Sequence, residues 1–167
     1  MEKQPYLEGR PGRRGEYLVV IQILLMAAFV LIPTWPIAPT GTAYPKVARW
    51  LLCGLCWALS SFFGLGGFRA IRRYLTPLPY PVDDNRIVDT GVYRLVRHPI
   101  YTAIMLALVG WTLYTASLTH AVMTVASWIF YRHKAAKEEA WLTQRHPEYA
   151  DYAARTGRFI PRLPGKR

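Results

Sequence analysis

PIYTAIMLALVGWTLYTASLTHAVMTVASWIFY, residues 99–131, runs for 33 positions without an Asp, Glu, Lys or Arg. A helical crossing of a bilayer needs about 20 apolar residues, so the stretch is too long for one span and short for two. Near its middle lie Thr115, Ser117, Thr119 and His120, which favour a turn there. The reading is a short-armed helical hairpin with arms over residues 100–114 and 118–131. The second arm is expected to continue beyond the bilayer through Glu138 and Glu139, because nothing breaks a helix before His146-Pro147.

Two more uncharged runs precede it, of 29 residues (17–45) and 19 residues (50–68). The first begins as apolar helix over residues 17–32, interrupted only by the polar Gln22, and passes at Pro33 into a Pro-rich loop. The second has the length of one crossing, and its glycines and serines allow close helix contact. About half of the 167 residues are thus free of charge, while the rest raise the net charge to +11. This segregation argues against a soluble enzyme, and two cysteines with 52% hydrophobic residues argue against a secreted disulfide scaffold or a disordered tail. A basic leader before an apolar stretch also suits a signal peptide, but this stretch exceeds a signal core and further spans follow.

The fold class expected is an all-α integral membrane protein, one membrane domain over residues 1–167 with about four transmembrane helices, the last two being the hairpin. Nineteen of the 21 Lys and Arg lie in residues 1–16, 69–98 and 132–167, and only Lys46 and Arg49 flank the first loop. By the positive-inside rule these three segments face the cytoplasm and the hairpin tip faces away. The charge is read as serving topology and contact with membrane lipid rather than nucleic acid.

Topology does not explain two polar segments. The loop TPLPYPVDDNRIVDTGVYRLVRHPIY, residues 76–101, carries three spaced prolines, a turn at Gly91, and Tyr93, Arg94, Arg97, His98 and Tyr101 at the mouth of a helix that Pro99 would begin. There a helix N-terminus adds free N–H groups, suited to a carboxylate or phosphate. The tail sets Glu138 and Glu139 in an otherwise cationic stretch, then offers Pro147 as a helix start with Tyr149 and Tyr152 on one face and Gly157 as its end. These segments begin and end the same hairpin, so connectivity brings them together. Cations for a carboxylate, carboxylates for an ammonium or sulfonium, tyrosines and an apolar bundle suit an amino-acid-derived cofactor acting on a lipophilic substrate.

The run from Asn85-Arg86 through Thr90-Gly91-Val92-Tyr93-Arg94 to Arg97-His98-Pro99-Ile100-Tyr101, followed by Glu138-Glu139, Glu148-Tyr149, Tyr152 and Arg158-Phe159-Ile160-Pro161, resembles the isoprenylcysteine carboxyl methyltransferase and phospholipid methyltransferase group. The resemblance spans roughly residues 77–164. It implies a membrane enzyme that binds S-adenosyl-L-methionine beneath a covering cytosolic C-terminal segment, with a prenylated cysteine or phospholipid entering from the bilayer. Carried over by position, Tyr93, Arg97, His98, Pro99, Tyr101, Glu138, Glu139, Tyr149 and Tyr152 would bind the cofactor. Glu139, Lys134 and His98 would serve the reaction, and no metal is implied. Lys134 stands where some relatives have Arg, which binds carboxylates in bidentate fashion as Lys cannot. Ala103 replaces a frequent Gly, and His146-Pro147 a common Phe-Gly.

A carboxylate acceptor arrives ionised and needs only positioning, by Lys134 or a nearby Arg. An amine acceptor must lose a proton, which makes Glu139 or His98 a candidate base. The rivals are an NADPH-dependent reductase, since sterol reductases share an Arg-His-Pro segment, and a non-catalytic adaptor binding anionic lipid. Other features have bland readings: Cys53 and Cys56 sit inside an apolar span, Gly64-Leu65-Gly66-Gly67 reads as a helix end, and His120 lies at the hairpin tip away from the polar segments.

Overall fold

The computed structural model describes residues 15–36, 45–72 and 87–162, and within these it is helical, with strand-like pairing limited to two isolated bridges. The helices are α1 (Glu16–Leu31), α2 (Lys46–Ile71), α3 (Pro99–Thr115), α4 (Leu118–Arg145) and α5 (Tyr149–Arg155), and a single 3-10 turn, Gly91–Arg94, precedes α3. The prolines at 77, 79 and 81 and the Asn85-Arg86 pair lie outside the described residues.

The predicted hairpin forms with a two-residue turn. Ala116 takes a left-handed conformation (φ 46°) that ends α3, and the Ser117 side chain accepts from the His120 N–H to start α4. α4 then runs for 28 residues, about 42 Å, so its last turns carry Glu138 and Glu139 past the end of α3. Among the described residues, α2 is the helix long and apolar enough to cross a bilayer alone; α1 and α3 are apolar but hold only 16 and 17 residues.

α2 packs along α3, α3 along α4, and α1 on α4. Gly64, Gly66 and Gly67 do not end α2, contrary to the expectation; helix continues to Ile71. They make room for neighbours: a Cβ on Gly67 would stand 3.0 Å from the Pro99 ring, and one on Gly66 2.7 Å from Val92. Phe63, Val92, Tyr93, Val96 and Ala103 close into a buried cluster there, which locks the start of α3 against α2. Cys53 and Cys56 are free thiols within α2, and Cys56 packs beside Gly110.

The end of the bundle at the hairpin tip is tied by ordinary backbone chemistry. Leu118 donates its N–H to Trp35 O (2.7 Å), and the Thr119 hydroxyl donates to Pro33 O (2.7 Å). Arg49 donates through Nε to the Tyr114 carbonyl (2.7 Å), meeting a free acceptor in the last turn of α3.

Candidate active site

The opposite end gathers the chemistry. Gly91 adopts φ 58°, and the 3-10 turn it opens delivers Val96, Arg97 and His98 to the N-terminus of α3, where Pro99 begins the helix. Beyond α5 the chain returns beside this segment: Arg97 N–H donates to Gly157 O (2.8 Å) and His98 N–H to Arg158 O (3.1 Å). The Thr102 hydroxyl donates to Phe159 O (2.9 Å), and the Phe159 ring lies 5.9 Å from the His98 ring. The C-terminal segment is thereby strapped over the mouth of α3.

Successive residues on α4 point about 100° apart, so Glu138 and Glu139 serve different neighbours. Glu139 accepts from Arg97 Nε (2.9 Å), from Arg158 Nε (3.1 Å to each oxygen) and Nη2 (2.5 Å), and pairs with His98 Nε2 (3.0 Å). Burial opposes its ionisation, yet the bonds from His98, Arg158 and Arg97 prevail and hold its carboxyl well below the usual range. Glu138 accepts from the Tyr101 hydroxyl (2.5 Å) and lies 3.4 Å from His98 Nδ1. His98 therefore presents both ring nitrogens to carboxylates, an arrangement only the imidazolium satisfies with two donors. Its burial works against the charge, but the two glutamates raise its pKa above the ordinary histidine value.

A cavity of about 520 Å³ opens beside this cluster. Tyr93, Arg97, His98, Pro99, Tyr101, Lys134 and Glu138 line it, seven of the sequence-predicted site residues. Its apolar flank comes from Phe68 and Ile71 of α2 and from Ile100 and Ile104 of α3. Lys134 and Glu138, four apart on α4, share the face toward it. Glu139 lies behind this lining in the ion cluster. Tyr149 and Tyr152 also stand outside the lining; their buried rings, 5.7 Å apart, seat α5, and the Tyr152 hydroxyl donates to Tyr93 O (2.7 Å).

Two participants escaped the sequence reading as site residues. Arg158 is a ligand of Glu139, and its signal was its place in the Arg-Phe-Ile-Pro run. Gln22 of α1 lines the cavity and accepts from Lys134 Nζ (2.5 Å). Its signal was being the one polar residue in the apolar part of α1.

A sequence model of the phospholipid methyltransferase family matches residues 48–149. The chain belongs to the phospholipid methyltransferase family. A solved structure of the eukaryotic intramembrane Ras methyltransferase ICMT (isoprenylcysteine carboxyl methyltransferase) aligns with 96% of the chain and 56% of its own at a TM-score of 0.57. Identity there is 20%, so that likeness concerns the fold. A "Probable protein-S-isoprenylcysteine O-methyltransferase" of Oryza sativa subsp. indica is 31% identical over 81 residues, 47% of this chain and 42% of its own length. The cobalt-zinc-cadmium resistance protein CzcN of Cupriavidus metallidurans is 38% identical over 81 residues, 48% of this chain and 38% of its own. The matches thus span about two fifths of the length of these curated relatives.

Proposed function

We propose that this family member is an integral membrane methyltransferase that uses S-adenosyl-L-methionine to methylate a lipophilic acceptor of the isoprenylcysteine carboxyl type. The observation that carries this reading is the juxtaposition, around one cavity, of an amino-acid-binding donor set with an apolar wall. Glu138 offers a carboxylate to an ammonium, Arg97 a guanidinium to a carboxylate, and Tyr93 and Tyr101 offer rings to a cationic or heterocyclic group. The size lies within the range of cavities that hold small organic cofactors. When bound, the cofactor supplies a methyl group on a sulfonium, which needs no metal for its transfer.

The residues of the chain then align and shield. His98, held as a cation between Glu138 and Glu139, orients both carboxylates rather than taking a proton. Glu139 fixes Arg97 and Arg158, and with them the C-terminal strap that keeps water from the cavity. Phe68, Ile71, Ile100 and Ile104 receive the lipid tail, and the buried cation Lys134 favours an acceptor that arrives as a carboxylate.

Large apolar side chains exposed along α1, α2 and α4, such as Leu24, Leu31, Trp50, Leu55, Val122 and Ile129, support embedding in lipid. With four crossings the site and both termini face the cytoplasm. Single cysteines at Leu118 and Ala154, in a background lacking Cys53 and Cys56, are expected to react with impermeant thiol reagent from the outer and inner sides respectively. The reverse pattern inverts the topology. Activity is tested by incubating membranes with a methyl-labelled donor and identifying the labelled lipid or protein. S-Adenosylhomocysteine is expected to raise the thermal midpoint of the detergent-solubilised chain and NADPH is not. A shift with NADPH alone makes it a reductase, and a shift with neither leaves an adaptor.

A further inference from the structure

Lys134 is 2% exposed, and its ammonium sits at the cavity wall. Burying a cation is expensive unless an anion meets it, and buried lysines ordinarily do so through a carboxylate. Among the described residues no carboxylate lies within 4.0 Å of Lys134. Its hydrogen-bonding partner is the neutral amide oxygen of Gln22, and its Nζ stands 5.4 Å from the centre of the Tyr101 ring. Burial pulls its pKa down, against the pull of Glu138, as expected for a cation lacking a full counterion.

Gln22 is equally out of place, a polar residue at a half-buried position of an apolar helix. An amide accepts from an ammonium without cancelling its charge, whereas a glutamate at the same position would cancel it. One donor of the ammonium is taken by Gln22, and two remain for the cavity. We propose that Gln22 and Lys134 form an anion subsite, in which the neutral amide of α1 orients the ammonium and leaves its charge to be met by a carboxylate or phosphate on the lipophilic acceptor. Gln22 is then a positioning residue that sets acceptor specificity, and α1 belongs to the site rather than only to the scaffold. That the anion belongs to a methyl acceptor rests on the function proposed above; that an anion is bound there does not.

The test measures binding of inert amphiphiles to the detergent-solubilised chain, so it does not depend on turnover. S-Farnesylthiopropionate is compared with its carboxamide, and dodecyl phosphate with dodecanol. In the wild type the anion of at least one pair is expected to bind about tenfold or more tightly than its neutral partner. The pair that shows the preference identifies carboxylate or phosphate as the group recognised. Gln22→Glu, which keeps the shape and adds an internal counterion, is expected to abolish the preference, while Gln22→Asn retains part of it. Equal binding of acid and neutral forms by the wild type overturns the subsite. So does an undiminished preference in Gln22→Glu. An anion preference without any stabilisation by S-adenosylhomocysteine leaves the subsite standing and removes the methyltransferase reading instead.

Discussion

The chain buries two histidines at opposite ends of the same helical hairpin, and their surroundings could hardly differ more. His98, 9% exposed, stands between two glutamates and borders the cavity. His120, 2% exposed, lies in the first turn of α4 with Nδ1 2.9 Å from the Ser117 hydroxyl and the Phe29 ring 4.9 Å away edge-on. About 27 Å of helix separates His120 from Glu138. Burial of a histidine is therefore no sign of function in this fold. What marks the site is the concentration of opposite charges that must be paired before they can be buried, whereas the other end is held by hydroxyls, carbonyls and one arginine.

The largest effect is expected where that concentration is removed. Glu139→Ala leaves Arg97, Arg158 and His98 clustered without their shared anion, and breaking such a buried pair costs about 3 kcal/mol or more. Thermal unfolding in detergent should show a large drop together with loss of methyl transfer. A variant as stable as the wild type would show that water already screens the cluster, and the contrast between the two ends would collapse.

Exchanging the two histidines sharpens the contrast. His98→Ala is expected to abolish stabilisation by S-adenosylhomocysteine, because Glu138 loses its nearest cation and the strap loses its ring contact with Phe159. His120→Ala removes a hydroxyl contact and an edge-on aromatic pair, costing about 1–2 kcal/mol while leaving the ligand shift intact. If His120→Ala removed the shift and His98→Ala kept it, the site would belong at the other end.

A smaller and more selective effect follows from protonation. The folded pKa of His98 is raised, so its pairing with the glutamates contributes fully below the unfolded value of about 6.5 and is lost as pH rises through the folded value. Glu139 has the opposite sign: its contribution is present above the ordinary carboxylate range and disappears only as pH falls through a strongly depressed folded value. Stability should therefore decline on the alkaline side as pH rises above the unfolded value of about 6.5 and through the raised folded value, and His98→Gln should flatten that decline. Parallel profiles for the two proteins would show that His98 carries no charge at neutral pH.

Sequence made these two ends unequally legible. The hairpin could be read closely because its arms are apolar and its turn polar, and α4 ends where His146-Pro147 predicts. The meeting of Arg97, His98 and Glu138-Glu139 followed from connectivity once the hairpin was granted. Partners on other elements were not legible. Arg158 reaches Glu139 only because residues 157 and 158 pair with residues 97 and 98, a long-range register without periodic signal. Gln22 gained meaning only when α1 was seen to pack on α4. The glycines of α2 were misread because a Gly-rich run marks a helix end and a close helix contact equally well; the missing discriminator was the bulk of Pro99, Ile100 and Val92 across the interface.

The other end offers the weakest expected effect and the cleanest control. Arg49 is one of two Lys or Arg flanking the first loop, so topology alone would make it expendable there. The structure uses it locally: Nε donates to the Tyr114 carbonyl, in the last turn of α3, and the guanidinium lies 5.8 Å from the Tyr114 ring centre. Cations at a helix C-terminus contribute about 0.3–1 kcal/mol when exposed and up to about 2 kcal/mol when partly buried. Arg49→Ala should thus lower the thermal midpoint slightly, and Arg49→Lys should recover part of the loss by charge without restoring the planar bond. Neither should change stabilisation by S-adenosylhomocysteine, since α3 would fray at the end farthest from His98. A lost ligand shift in Arg49→Ala would mean that the hairpin transmits strain along its whole length, and the two ends could no longer be treated as separate.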